Sequence, residues 1–502
     1  MANHERRGMV LSRRNFLRLA GITAAGASLP LQCIPLTKAQ ASALAVVPPD
    51  IHVLNRLTFG PRPADVERIH QMGISGWIEW QLDPEAIEDP ISDRIFTDAP
   101  VLLMNYNDAS RFQVQNEYRV GYILAWTRMA RAVYSERQLF ERVVEFWTDH
   151  FNIPMEDFAV EKLIDDREVV RNHALGRFRE MLIASAQSRA MLYYLNNDSS
   201  TKEHPNENYA REVMELHTLG VDGGYTEQDV KELARILTGW TVRESRDGFY
   251  FDADAHDMGE KTFLGRTFAA GRGIEEGLEA LDMLVRHPNT AVFIATKLCR
   301  RFVSDFPPES LVTSTAQVFT ETDGDIKAVL RHIFSSSEFM ESAGQKLRRP
   351  IDFFAALVRV SGLEIKNPDI LIWLLQSMGQ LPFGWHPPNG YPDFAAAWMN
   401  TNGILGRWNS ALLLPIAATG WLENHTFDAN RLVGEVGMAS ELVDAATTAI
   451  LPGISLTDED RKAFIQFVTD TDTDQPISAE LRADKLPALI ALLIASPYFQ
   501  WI

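Results

Sequence analysis

Glutamates 212 and 215 lie in the stretch HPNENYAREVMELHTLG, His204 to Gly220, which also holds two histidines, an arginine and two asparagines. Carboxylates three apart on a helix are neighbours. They repel unless a proton or a cation sits between them. A divalent metal would supply that cation, and so would Arg211, whose i,i+4 partner is Glu215. With residues at steps of about 100°, Asn208, Arg211, Glu212 and Glu215 share one polar face. Tyr209, Val213 and Leu216 form an apolar stripe, and His217 turns toward that core side. Two readings stand: a metal or acid–base face, or a solvated, ion-paired helix surface.

Three further histidines have neighbours suited to chemistry. His150 ends the segment ERQLFERVVEFWTDHFNI, at the edge of the stripe Phe140, Val143, Val144, Trp147 and Phe151. It reads as a satisfied core histidine, or as a ligand or base oriented by a carboxylate. His256 and Asp257 lie in GFYFDADAHDMGEKTFLGRTF, outside any helical period, where a loop can present a site or Asp257 can stabilise a turn. His386 stands in LPFGWHPPNGYPDFAAAWMN beside Trp385 and Tyr391, which serve equally well as packing anchors. His150, Glu212, Glu215, His256 and Asp257 are the candidate ligands for a divalent metal in a hydrolase or oxidoreductase, with Asn208, Arg211 and His386 as further polar candidates. The alternative is a non-catalytic periplasmic scaffold or carrier, whose polar cluster is a buried ionic network fixing helix packing. A glycan-binding module would rest on the tryptophan-rich loop alone.

Standard signatures are absent: no His-Glu-x-x-His, Gly-x-Ser-x-Gly, P-loop or Gly-x-Gly-x-x-Gly occurs. One Glu-x-x-His, Glu67 to His70, is a single copy of a motif that a di-iron bundle needs twice. Cys299, in FIATKLCRRFV, reads as an inert core thiol.

The elements that must place these residues are helical. Apolar residues recur at helical spacing through most of the chain, with Pro63 in a first turn, Gly73 at a stop, and Thr226 with Asp229 as a capping box closed by Gly239. Helices are expected near 274–286, 288–304, 309–321, 325–336, 350–361 and 367–378, and three more helical segments follow around the acidic loop 470–475. Only 248–268, aromatic and glycine-punctuated, reads as a small β-hairpin or two short strands. LRHIFSSSEFM and LIALLIASPYFQ share an apolar helix ending in Ser-x-x-Phe. The fold class is mainly α: one large multi-helix domain over 42–502 with a small β-hairpin insert.

Residues 1–41 read as a twin-arginine signal peptide. Ser12-Arg13-Arg14-Asn15-Phe16-Leu17-Arg18 precedes the weakly apolar run from Leu19 to Thr37, and Ala39-Gln40-Ala41 sets cleavage after Ala41. Pro30 and Pro35 argue against a retained anchor, so no stable membrane span is expected after cleavage. The twin-arginine translocase is the implied partner, and the destination is periplasmic or extracellular. That route carries folded proteins, often with a metal already inserted. The 502 residues are 46% hydrophobic and 23% charged, ample for a large core, and their formal charge of −19 disfavours nucleic acid or anionic membrane as partners. Cleavage removes Cys33 and leaves Cys299 alone, so no internal disulfide is expected.

The run PNENYAREVMELHTLGVDGGYTEQDVKELARILTGW closely resembles the signature of the bacterial Domain of Unknown Function 1800 family. LNRLTFGPRPADVERI, VVEFWTDHFNIP, VRNHALGRFREMLIASAQSRAML, HDMGEKTFLG, PNTAVFIATKLCRRFV, WHPPNGYPD and LLIASPYFQ agree in order. The resemblance spans about Asp50 to the C-terminus. It implies a mostly helical, usually exported protein, whose gene often neighbours one for a secreted protein with an alkaline-phosphatase-like fold; it implies no reaction. The chain departs from the family where Thr148 replaces a histidine, leaving only His150 in that motif, and where Ser188-Arg189 replaces His-Pro.

Overall fold

The amphipathic segments fold as helices because each has one stripe to bury and few β-branched or glycine interruptions. In this computed structural model, residues 46–116, 119–243, 248–365, 369–420, 425–471 and 473–502 are described. The twin-arginine leader expected over residues 1–41, with its cleavage point, lies outside them. Helices Ile274–Arg286, Pro288–Phe302, Glu309–Glu321, Ile326–Phe334, Pro350–Ser361 and Asp369–Ser377 follow the sequence expectation closely. The helix opened by Pro63 kinks at Gly73 (φ +71°) but resumes to Gln81 instead of stopping. The Thr226–Asp229 capping box forms and starts the helix Glu227–Ile236. Beyond residue 400 the chain is more finely divided than expected, with Thr401–Ala411, Leu413–Ala418, Ala439–Ile450, Asp458–Thr469 and Ala479–Ala495. No helix among the described residues is long and apolar enough to cross a membrane.

The β insert is two antiparallel hairpins. Trp240–Arg243 pairs with Gly248–Phe251, and Lys261–Phe263 pairs with Arg266–Phe268. The first begins earlier than its composition suggests, because Gly239 (φ +76°) turns the chain directly out of the preceding helix. A Cβ at Gly239 would stand 2.4 Å from the Asp252 carbonyl oxygen. A further two-residue pairing joins Glu364–Ile365 to His425–Thr426.

Two large apolar cores form. The first joins Val53, Trp147, Phe178, Leu298 and Phe339; the second joins Phe59, Phe353, Leu357, Leu489 and Phe499. The two Ser-x-x-Phe helix ends bury Phe339 in the first and Phe499 in the second. The helix Gln138–His150 is buried nearly all round. Leu139, Val143, Val144 and Trp147 are apolar core, yet Glu141, Arg142 and Glu145 on its polar side are buried too. Arg142 pairs with Asp352, and Arg349 with both Glu145 and Asp149. Buried charges survive only when paired and hydrogen-bonded, so this helix is clamped to the helix Pro350–Ser361.

Candidate functional site

The C-terminal end of the helix Gln138–His150 opens on a cavity of about 250 Å³. Its walls are Asp149 and His150 from this helix, Lys297, Arg300 and Arg301 from the helix Pro288–Phe302, and the loop from Trp385 to Phe394. Lys297, Arg300 and Arg301 stand at i, i+3 and i+4, so helical geometry puts all three on one face. The loop is held from outside. Asn152 donates to the carbonyls of Trp385 and Pro387, each at 2.8 Å, Tyr391 donates to Leu381 O at 2.9 Å, and Tyr194 donates to His386 O. Gly390 (φ +70°) passes so close that a Cβ would lie 1.9 Å from the Asp149 carbonyl oxygen. Gly390→Ala is therefore expected to push the loop off the cavity and to cost about 1–3 kcal/mol through overpacking. Chemical denaturation with and without ligand measures both effects.

His150 is 1% exposed and sits among Phe146, Trp147 and Phe151. Burial first, then the Lys297 charge and His217, drive its pKa well below the usual histidine range, so it is neutral at pH 7. Its Nδ1 lies 2.9 Å from Lys297 Nζ and accepts from it, which leaves the hydrogen on Nε2 to be donated to His217 O at 3.1 Å. Burial pushes Lys297 down to about 8, against the upward pull of Asp149 and Asp393. Arg301 is 3% exposed, and its Nε and Nη2 make no hydrogen bond. The nearest carboxylates stand off from it: Glu145 at 3.4 Å, Asp393 at 3.7 Å and Asp149 at 4.0 Å. Asp149 is committed to Arg349 at 2.6 Å and Asp393 to Lys346 at 3.3 Å, while Glu145 Oε2, itself without a hydrogen bond, faces Arg301 Nη2. Despite burial, Lys346, Arg301 and Arg349 hold Asp393 far below the ordinary carboxylate range.

The residues singled out in sequence sit in separate places. The polar face of Glu207–Glu212 looks out to solvent. Arg211 forks onto Glu227 through two 2.8 Å bonds and also pairs with Glu207 and Glu215. Glu212 is half-buried; burial and the neighbouring Glu215 charge raise its pKa. Asn208 lies on the same helix, its backbone N–H bonded to the Asn206 cap. His256 belongs to another network: Nε2 lies 2.9 Å from Glu276, which also takes Lys261 at 2.6 Å, all three buried. Asp257 accepts from Arg235 at 2.7 Å, and His386 pairs with Glu156 at 2.8 Å on the exposed side of its loop. Only His150 reaches the cavity. Among the described residues no group of three or more His, Cys, Asp or Glu side chains is arranged to hold a metal ion.

Between Val213 and Thr218 the helix relaxes into a π turn. Leu219 N donates to Met214 O at 2.8 Å, and Thr218 Oγ1 to Val213 O at 2.6 Å. The wider turn leaves Leu216 only partly buried, not in the expected core stripe, while Met214 and His217 are buried. His217 faces His150 with ring centroids 5.8 Å apart, and both of its nitrogens lack hydrogen-bond partners. Such π turns recur at functional sites.

Lys297, Arg300, Arg301 and Asp149 were not singled out from sequence, and Tyr391 was read only as a packing anchor. Their signal was present, since FWTDHF, TKLCRRF and WHPPNGYPD are the motifs that carry the family resemblance, and the cavity lies where the three meet. Cys299 is buried beside Thr315, its thiol pushed up to about 11 by burial. No curated protein and no solved structure matches the chain. Residues 52–501 match the family described as protein of unknown function DUF1800, and the chain belongs to that family.

Proposed function

We propose that this is an exported protein that takes a small acidic organic molecule into the cavity, holds its anionic group on Arg300 and Arg301, and presents the rest to the Lys297–His150 pair. The observation that carries this reading is the Arg301 guanidinium, buried at the wall of a cavity with Nε and Nη2 making no hydrogen bond and Nη2 facing Glu145 only at 3.4 Å. A buried donor without an acceptor costs about 1–3 kcal/mol, more when charged, and a bound carboxylate or phosphate would remove that cost. Charge supports the same reading. In a chain of formal charge −19, three cations face the cavity, and its two carboxylates are engaged by Arg349 and Lys346. Export rests on the Ser12–Arg18 leader. The metal-dependent reading lacks support, because its five candidates fall in three separate places: His150 at the cavity, Glu212 and Glu215 on an outer helix face, and His256 and Asp257 beside the β insert.

Calorimetric titration of the folded protein with acetate, pyruvate and inorganic phosphate tests this. Saturable binding of at least one probe is expected, weakened roughly tenfold or more, about 1.4 kcal/mol, by Arg301→Gln and by the less buried Arg300→Gln. Binding of none of the three, or equal binding by both variants, overturns it. The scaffold reading draws its support from the buried ionic network around Glu145 and expects no binding at all, so the same titration separates the two.

A further inference from the structure

We propose that Lys297 is a nucleophile that forms an imine with the carbonyl carbon of a small 2-oxo acid. This rests on the anion-site reading above and names the substrate class of the same cavity. Three features converge on it. Lys297 and Arg301 are four residues apart on one helix face, so their side chains project side by side into the cavity, about 5–6 Å apart at Cβ. A molecule whose carbonyl adjoins its carboxylate matches that pairing: the carboxylate lies on the guanidinium, and the carbonyl comes beside the amine. The cavity, about 250 Å³, is at or below the lower end of common ligand pockets, about 300 Å³, which favours a short acid. Its aromatic wall, Phe146, Tyr391 and Phe394, suits a short apolar tail.

The amine also has a proton acceptor in place. His150 Nδ1 stands 2.9 Å from Nζ with its lone pair toward it, because Nε2–H is tied to His217 O. A neutral imidazole in that orientation takes a proton from the attacking nitrogen. Neutral Nζ attacks the carbonyl carbon, the N–C bond forms, and the carbonyl electron pair moves to oxygen. Two protons pass in turn from nitrogen through His150 to that oxygen, the first giving the carbinolamine and the second letting the oxygen leave as water as the C=N bond forms. One C=O becomes one C=N with release of one water, and no oxidant or reductant enters. Desolvation helps: with Lys297 near 8, its neutral fraction at pH 7 is about two orders of magnitude above that of an ordinary lysine.

The experiment incubates the full folded protein with pyruvate and sodium cyanoborohydride and maps the reduced secondary amine by peptide mass spectrometry. Calorimetric binding of pyruvate is measured in parallel. The expected result is an adduct concentrated at Lys297, on the order of tenfold above other lysines. Trapping rises with pH to a midpoint near 8, slows in His150→Gln, and disappears in Lys297→Met. Pyruvate binding without an adduct at Lys297 overturns the imine and leaves the anion site standing. Absence of both binding and adduct overturns both. An adduct spread evenly over the surface lysines also overturns the imine, and wild-type protein alone decides that outcome should a variant fail to fold.

Discussion

Glu145→Gln is expected to cost roughly 3–5 kcal/mol of folding stability, far more than a side chain of nearly unchanged shape suggests. Glu145 is 4% exposed and sits among three guanidinium groups: Arg349 in direct contact, Arg301 at 3.4 Å and Arg142 at 3.7 Å. Removing its charge leaves buried cations with fewer counter-charges and no water to replace them. Asp352 and Asp149 also touch this group and will absorb part of the loss. The matched control is Glu79, which forks onto Arg331 at 2.6 and 2.7 Å with both side chains about half exposed. Glu79→Gln is expected to cost no more than about 1 kcal/mol, because water competes for the same pair. Urea unfolding of both variants measures this. Equal losses would mean that burial does not govern these pairs. Because Arg301 also borders the cavity, Glu145→Gln should weaken acid binding as well as stability.

A steep loss of stability is expected as the pH falls from 6.5 toward 3. His52, His150 and His217 are each 1–2% exposed. Burial holds His52 and His217 at about 3 and takes His150 well below its usual value. The unfolded chain protonates these side chains near 6.5, while the folded chain keeps them neutral. The unfolded state therefore binds more protons throughout that window, and acid favours it. Their contribution is fully present above 6.5 and is lost as the pH falls toward the folded values. Each histidine adds a slope of up to about 1.4 kcal/mol per pH unit, so three together approach 4. Against a typical total of about 5–15 kcal/mol, that is enough to unfold the protein within a few pH units. Arginine-paired carboxylates such as Glu141, held at about 2 against the opposing effect of burial, add to the loss only below the normal carboxylate range. The segment from pH 6.5 to 5 therefore isolates the histidines. Denaturation midpoints at pH 7, 6 and 5 should fall progressively, and His217→Asn should flatten the slope by about one histidine's share. A midpoint unchanged across that range would show that these rings already protonate in the folded state.

Helix positions were legible because they depend on local periodicity, and so was the turn of His217 toward the core. The fate of polar faces was not. Arg142, Glu145 and Glu141 lie off the apolar stripe of an amphipathic helix, and nothing local distinguishes a face that meets water from one that meets opposite charges. The partner Asp352 stands 210 residues from Arg142. The same ambiguity runs the other way at Glu212 and Glu215, whose crowded carboxylates suggested an inward site but look outward onto Arg211 and solvent. The π turn at Val213–Thr218 compounds this, because a uniform 100° step does not describe the end of that helix.

By itself, the sequence determined a helical chain of this family and the segments on which helices form, because each depends on short-range pattern and composition. The tertiary structure alone decided which charged residues are buried and which motifs share a wall. Lys297 and Arg301 become candidates for chemistry only when the His150 helix and the Trp385–Phe394 loop close over them. Burial then withdraws the water that would otherwise keep the Lys297 ammonium ordinary.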